Sequence, residues 1–413
     1  MSNYSVTKRS ECRLCGDGNL TQFMRFDSIP FFDEVVTQEM RGHEFSYPMV
    51  LYFCTDCMSV QSQHDVNLHD YYHSYQYVAS HSSFIRKYMG LLVEYCQKWF
   101  DFASEVNIIE VGAADGYLLS LFNKKGARTL GFEAAENLSH LATTNGVNVI
   151  NALFTNESID LIPSDFKKTQ LLVLLRTFDH LFAPSSYLDT VRQVLDPERG
   201  VFLIEVHDLQ DIYTKREAAL FGHEHATYLH YGSMSRLLER HGFRIIDFNF
   251  LPKDVCRGSS MLVAATLENS ELRPAPDLER FYNSELDKVS SLLDFQTAVL
   301  RSFKKLRQYV IENKLKGKRL AGYGGWGRGV TTLAMANLTD EHLEFVIDAN
   351  TSLHGCYTPV TGIPIVSPDI VSRDSVDEII VFNYAYMREI KETLSVFIAE
   401  GGRVLSVVDL LAE

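Results

Sequence analysis

Four cysteines stand in two pairs, Cys12-Arg13-Leu14-Cys15 and Cys54-Thr55-Asp56-Cys57, with 38 residues between them. Four thiolates at this spacing close a tetrahedron on zinc and leave no position open for water, so the ion expected here is structural. A redox dithiol fits less well, because neither pair opens the helix of a thioredoxin-like unit. A second cluster is Phe221-Gly222-His223-Glu224-His225. H-x-H with a glutamate can ligate metal, but the helix-borne H-E-x-x-H is absent and no third ligand set lies nearby. A carboxylate between two imidazoles also suits acid–base work. The expected base is His225, with Glu224 orienting it. His223 is its competitor, since alternate residues of an extended stretch point apart. His180, in Arg176-Thr177-Phe178-Asp179-His180, is expected to assist.

A third pattern runs from Ile108 to Leu119: an apolar, β-branched strand, then Glu110-Val111-Gly112-Ala113-Ala114-Asp115-Gly116, then helical density from Tyr117. Gly112 and Gly116 lack a Cβ where the backbone turns and meets a ligand. Glu133 ends a second strand 23 residues after Glu110. An acid at that tip grips ribose hydroxyls in doubly wound folds.

These groups need a frame. Strands are expected at 106–111, 129–133, 147–150, 170–175, 200–206, 243–249 and 261–266, with helices between them, which is the α/β doubly wound pattern. Ligands in such sheets lie beyond the carboxyl ends of the strands. That rule selects the loops at Glu110–Gly116, Glu133, Asn151-Ala152, Arg176–His180 and Glu205–Asp208. Residues 1–75 form a zinc-binding module, 76–268 the sheet domain, 269–316 a helical linker and 317–413 a smaller Rossmann-like domain. The last opens with Leu320-Ala321-Gly322-Tyr323-Gly324-Gly325-Trp326-Gly327-Arg328-Gly329, and its second strand ends in Asp348. Its glycine turn is expected to face the cleft and hold a phosphate or nucleotide. The aromatic stretch from Tyr71 through Tyr77 to His81 reads as an inter-domain joint or a substrate lid.

The formal charge of −14 argues against nucleic-acid binding as the main task. No apolar run is long enough to span a membrane and the first residues are no signal peptide, so a cytoplasmic location is expected. Reduced thiols or metal ligands are then the reading for the seven cysteines.

The glutamate-led glycine turn resembles that of class I S-adenosylmethionine methyltransferases. Nearly the whole chain resembles the nucleotide-sugar C-methyltransferases, which methylate C3 of a 4-keto-deoxysugar. The likeness is carried by the cysteine pairs, the Glu110–Gly116 turn, the His180 loop, His223-Glu224-His225, Arg257-Gly258-Ser259, the Gly322–Gly329 turn and Asn383-Tyr384. It implies S-adenosylmethionine held by Glu110, Gly112, Ala113, Asp115, Gly116, Glu133, Ala152 and Arg176. It implies an acceptor held by Tyr77, Arg257, Tyr323, Arg328 and Asn383, and a structural zinc on Cys12, Cys15, Cys54 and Cys57.

Two departures fall where the sugar should lie. Gly222 stands where the family has a tyrosine, and Arg176–His180 replaces an Asn-Val-x-Ala-His loop. The implied reaction removes a proton beside a ketone, holds the enolate with donors such as His180 and Arg176, and aligns the carbon with the sulfonium methyl. Two other readings stay open: an O- or N-methyltransferase on the same frame, and a non-catalytic relative that keeps the cofactor fold.

Overall fold

The computed structural model describes residues 4–34, 36–68 and 78–412. The first unit is a small antiparallel module. Strand β1 (Val6–Lys8) pairs with β5 (His64–Val66). Strands β2 (Leu20–Ile29), β3 (Tyr47–Cys54) and β4 (Val60–Ser62) form a sheet, and its fourth strand comes from much later in the chain. Cys12 and Cys15 sit before β2, while Cys54 ends β3 and Cys57 follows in the turn to β4.

The second unit is a seven-stranded sheet. Its strands are β6 (Asn107–Val111), β7 (Arg128–Phe132), β8 (Val149–Ile150), β9 (Leu171–Leu175), β10 (Val201–His207), β12 (Phe243–Phe248) and β13 (Ser260–Leu267). The order is β12-β13-β10-β9-β6-β7-β8, with β13 antiparallel to both neighbours and the other pairs parallel. All seven expected strands are present. This is the class I methyltransferase arrangement, with the antiparallel strand near one edge. Every residue of β6, β9 and β10 is buried. Ile109, Leu172 and Leu174 pack on one face; Ile108, Leu171 and Val173 pack on the other. Alternation between two buried faces is why these strands read as continuous apolar runs. The chain reverses strand order between β6 and β9, so the loops after them meet at one crevice.

Strand β11 (Thr227–Tyr228) does not join that sheet. It pairs antiparallel with β4 and completes the N-terminal module. No expected strand covered it, because two residues carry no periodicity.

The linker holds a 27-residue helix, Val289–Leu315, which starts later than its amphipathic run. Asp277 takes a left-handed conformation and Asn283 caps a short 3-10 turn, so 277–288 is broken into two turns first. The closing domain is a parallel sheet of β14 (Leu320–Tyr323), β15 (Val346–Ile347), β16 (Ile365–Val366), β17 (Glu378–Val381) and β18 (Arg403–Ser406), in the order β16-β15-β14-β17-β18. The two-residue β16 was not expected. Among the described residues no helix is long and apolar enough to cross a membrane.

Candidate active site

The cysteine cluster forms as its spacing requires. Cys12 Sγ lies 3.6 Å from Cys57 Sγ, and Cys15 Sγ 3.6 Å from Cys54 Sγ. All four sulfurs fall within 4.8 Å of one another, as tetrahedral zinc needs. Cys12, Cys54 and Cys57 are buried, so the site has no open face for substrate.

A cavity of about 500 Å³ opens beyond the carboxyl ends of β6, β7, β9 and β10. One end is lined by Glu110, Gly112, Ala113, Asp115, Glu133 and Ala152. Glu133 accepts from the Ala114 amide at 2.8 Å and the Ala135 amide at 2.8 Å, which pins the glycine turn against the tip of β7. Gly112 has φ +74°, and a β-carbon there would stand 2.7 Å from Thr177 Oγ1. Glu110 Oε2 and Asp115 Oδ1 are buried with no hydrogen-bond partner among the described residues. Burial, then the nearby charges of Asp115 and Glu133, holds the Glu110 carboxyl well above its ordinary range. Two unpaired acceptors facing one cavity suit a ligand that brings an ammonium. S-adenosylmethionine fits this end on that ground. It differs at one residue: Gly116 turns the chain at φ +74° but packs against Val147 and Ala142 and does not line the cavity.

The other end holds imidazoles. His180, His207 and His225 all line it, with ring centroids 4.9 Å apart for His180–His225 and 4.4 Å for His207–His225. His225 Nδ1 lies 3.2 Å from the Leu220 carbonyl, which only accepts, so this nitrogen carries the proton and Nε2 keeps its lone pair. Burial, with His207 beside it, holds the His225 imidazole well below its ordinary pKa. It is therefore neutral, with one nitrogen unprotonated.

Three expectations for this end are corrected. His223 lies outside the cavity. Its Nε2 donates toward the carbonyls of Ile29 and Tyr47, both at 3.1 Å, so it fastens the N-terminal module and is no competitor for the base. Glu224 lines the cavity, but its carboxylate accepts from the Phe32 amide at 2.6 Å, which ties it to the N-terminal module. Tyr323 is buried in the core of the last domain, packed with Ile347 and Val381, and reaches neither cavity. Tyr77 lies outside the described residues.

His207 and Asp179 were passed over, although both sit in loops that the strand-end rule singles out. Asp179 is fully buried and bonded through Oδ2 to His207 Nδ1. His207 Nε2 meets the Arg176 guanidinium. Burial alone would raise the Asp179 carboxyl, but His207, His225 and His180 around it hold it well below its ordinary range.

Arg176, Arg257 and Arg328 line this cavity and also a second one, of about 400 Å³, shared with Gly258 and Asn383. Arg328 bonds Glu217 at 3.1 Å and the Gly258 carbonyl at 3.1 Å; Arg176 bonds Glu205 at 3.3 Å. Gly327 lines the first cavity, so the tail of the second glycine turn does face the cleft. At its head, Asp348 accepts from the Gly325 amide at 2.8 Å, and a β-carbon at Gly325 would stand 3.1 Å from Ile365, so that amide is already paired.

Gly222 has a steric cause. A β-carbon at this position would run into the ring of Phe32, which lines the cavity and stands edge-on to His225 at 5.1 Å.

Comparison with known proteins matches residues 12–72 to a zinc-binding domain, 82–247 to a methyltransferase domain and 256–408 to a C-methyltransferase C-terminal domain. The chain is an S-adenosylmethionine-dependent methyltransferase. The three matched domains follow one another along the chain without overlap. C-methyltransferase NovU of Streptomyces niveus is 28% identical over 399 residues, spanning 96% of this methyltransferase and 94% of that protein. Among solved structures, the plantazolicin methyltransferase BpumL in complex with SAH shares 15% identity over 45% of this chain and 84% of that one, with a TM-score of 0.35. A SAM-dependent methyltransferase from Archaeoglobus fulgidus shares 14% over 44% and 93%, with a TM-score of 0.37.

Proposed function

We propose that this enzyme methylates a carbon beside the ketone of a nucleotide-linked keto-deoxysugar, and that His225 removes the proton that makes this carbon nucleophilic. The observation that carries the reading is the hydrogen bond of His225: Nδ1 is committed to the Leu220 carbonyl, which leaves Nε2 unprotonated in a residue that lines the cavity also holding Glu110 and Glu133. An oxygen or nitrogen acceptor has less need of a buried, neutral base placed against a cofactor pocket, because its own lone pair attacks.

S-adenosylmethionine, when bound, supplies an electrophilic methyl group. Glu110, Asp115 and Glu133 are the residues to hold it, through its ammonium and ribose hydroxyls. His225 takes the acceptor's proton at Nε2. His180 and Arg176, at the same end of the cavity, are the donors to the enolate oxygen. Glycine at 222 leaves no phenol at that position, so donors to the sugar must come from the histidine loops. Arg257 and Arg328 line the second cavity beside Lys253, Asp254 and Glu389, and are steadied by the buried Glu205 and Glu217. Forked guanidinium donors held in this way suit a diphosphate. NovU, a C-methyltransferase by name, supports carbon as the acceptor atom.

The test is product analysis with methyl-labelled S-adenosylmethionine and a panel of nucleoside-diphosphate keto-deoxyhexoses. A labelled carbon–methyl bond next to the ketone is expected. Label on oxygen or nitrogen would overturn the reading.

A further inference from the structure

We infer that Asp179, and not the adjacent Glu224, is the carboxylate against which His225 takes up the acceptor's proton. The inference rests on the C-methylation reading for the proton it concerns.

Three observations converge. The first is where each carboxylate is bound. Glu224 neighbours His225 in sequence and lines the same cavity, but its Oε1 accepts from the Phe32 amide at 2.6 Å, which directs the carboxylate toward the N-terminal module. Asp179 is remote in sequence, yet one of its carboxylate oxygens and one ring nitrogen each of His207 and His225 lie within 4.8 Å of one another. His180 Nε2 stands 3.8 Å from Asp179 Oδ1.

The second is how Asp179 is registered against the base. Its carbonyl accepts from the Ala226 amide at 2.6 Å, so the residue after His225 is tied to the main chain of Asp179. Its Oδ2 is held by His207 Nδ1, and His207 Nε2 by Arg176. The line Arg176–His207–Asp179 keeps a fully buried carboxylate ionised. It also engages both nitrogens of His207 and sets a guanidinium beside the cluster, which disfavours a metal ion among these three side chains.

The third is the unspent acceptor. Asp179 Oδ1 is fully buried and makes no hydrogen bond among the described residues. An ionised oxygen left without a donor costs free energy in the resting protein. It stabilises positive charge that develops next to it during turnover.

The step balances as follows. The carbon–hydrogen bond breaks and its proton bonds to His225 Nε2. The electron pair becomes the carbon–carbon π bond, and the carbonyl π pair moves to oxygen as enolate. His225 becomes an imidazolium, Nδ1–H stays on Leu220, and Asp179 receives no proton. It acts through His225, as a positioning and counter-charge residue.

The experiment uses full-length, zinc-loaded parent, Asp179→Asn and Glu224→Gln proteins, with a nucleoside-diphosphate 4-keto-6-deoxyhexose as the probe. Solvent deuterium exchange at the carbon beside the ketone, kcat, KM and the primary isotope effect with the carbon-deuterated probe are measured. Asp179→Asn should slow exchange and kcat by about 100-fold, keep KM within about twofold and raise the isotope effect, because proton removal becomes limiting. Glu224→Gln, whatever its rate, should keep the parent's isotope effect. Exchange at the parent's rate in Asp179→Asn, or a raised isotope effect in Glu224→Gln, would overturn the inference. The Glu224→Gln arm decides if Asp179→Asn does not fold. A parent protein that neither exchanges nor methylates carbon instead overturns the functional reading beneath it.

Discussion

The Phe32 amide donates to Glu224 Oε1 at 2.6 Å across 192 positions of sequence. The N-terminal module thereby reaches past its zinc site and fixes the loop that carries His225. His223 repeats the tie from the other side, through the carbonyls of Ile29 and Tyr47. Of the three polar residues in His223-Glu224-His225, His223 and Glu224 hold the loop to the module, while Glu224 and His225 line the cavity.

Loss of zinc should therefore be felt in the active site. Cys54→Ser is expected to abolish the stoichiometric ion, about one per chain, lower the melting temperature and reduce turnover together. Metal analysis and thermal denaturation check this; full zinc content in the variant would remove the assignment.

Glu133 should hold both cofactor and turn. Replacing it by alanine frees the Ala114 and Ala135 amides. We expect S-adenosylmethionine affinity to fall roughly ten- to hundred-fold, the scale of one or two charge-assisted hydrogen bonds. Calorimetry with unchanged affinity would show that the ribose lies elsewhere.

The buried Glu110 carboxyl gives a pH dependence with a definite sign. Burial and its acidic neighbours raise its pKa in the empty protein, so it is protonated there at pH values where an ordinary glutamate is ionised. An ammonium placed beside it favours the ionised form. Cofactor binding should then release a proton, and affinity should rise with pH until Glu110 ionises unaided. Titrations in buffers of different ionisation enthalpy read that proton directly; uptake, or no transfer, contradicts it. Glu110→Gln should abolish the release.

Gly222 and Phe32 should behave as a pair. Gly222→Ala forces a β-carbon into the Phe32 ring and is expected to cost about 1–3 kcal/mol. Phe32→Ala in the same chain should recover much of that loss, although it opens a cavity of its own. A double-mutant cycle in which the two changes simply add would show the contact to be unimportant.

His225→Ala should lower kcat by about two to four powers of ten and leave cofactor affinity almost untouched. The same variant should not exchange the acceptor's carbon-bound hydrogen with solvent. Exchange retained there but lost in His180→Ala would move the base to His180.

The sheet domain was readable because β6, β9 and β10 are buried on both faces, and that leaves a run of Val, Leu and Ile that little else produces. The cofactor turn was readable because Gly112 needs its positive φ and Glu133 must sit at a strand tip. The acid–base assignments were less so. Adjacency suggested that Glu224 serves His225, whereas the peptide geometry turns that carboxylate to Phe32 and brings Asp179 over from another loop. Sequence distance conceals such partners: Asp179 and His207 are 28 positions apart and bonded. Tyr323 misled for the opposite reason. A tyrosine next to a glycine turn looks like a ligand contact, but it is the last residue of β14 and its ring faces the sheet's own core.

Strand β11 has a consequence for how the chain is made. The module's sheet runs β11-β4-β3-β2, and β11 is more than 160 residues downstream of β4. While a ribosome is still building the methyltransferase domain, β4 presents an open strand edge, the kind of surface that pairs with other nascent chains. The cysteines can gather zinc early, since all four lie before residue 58. The edge cannot close until Thr227 and Tyr228 emerge. A fragment ending before them should load metal and still aggregate, so the first module depends for its solubility on the loop it later holds in place.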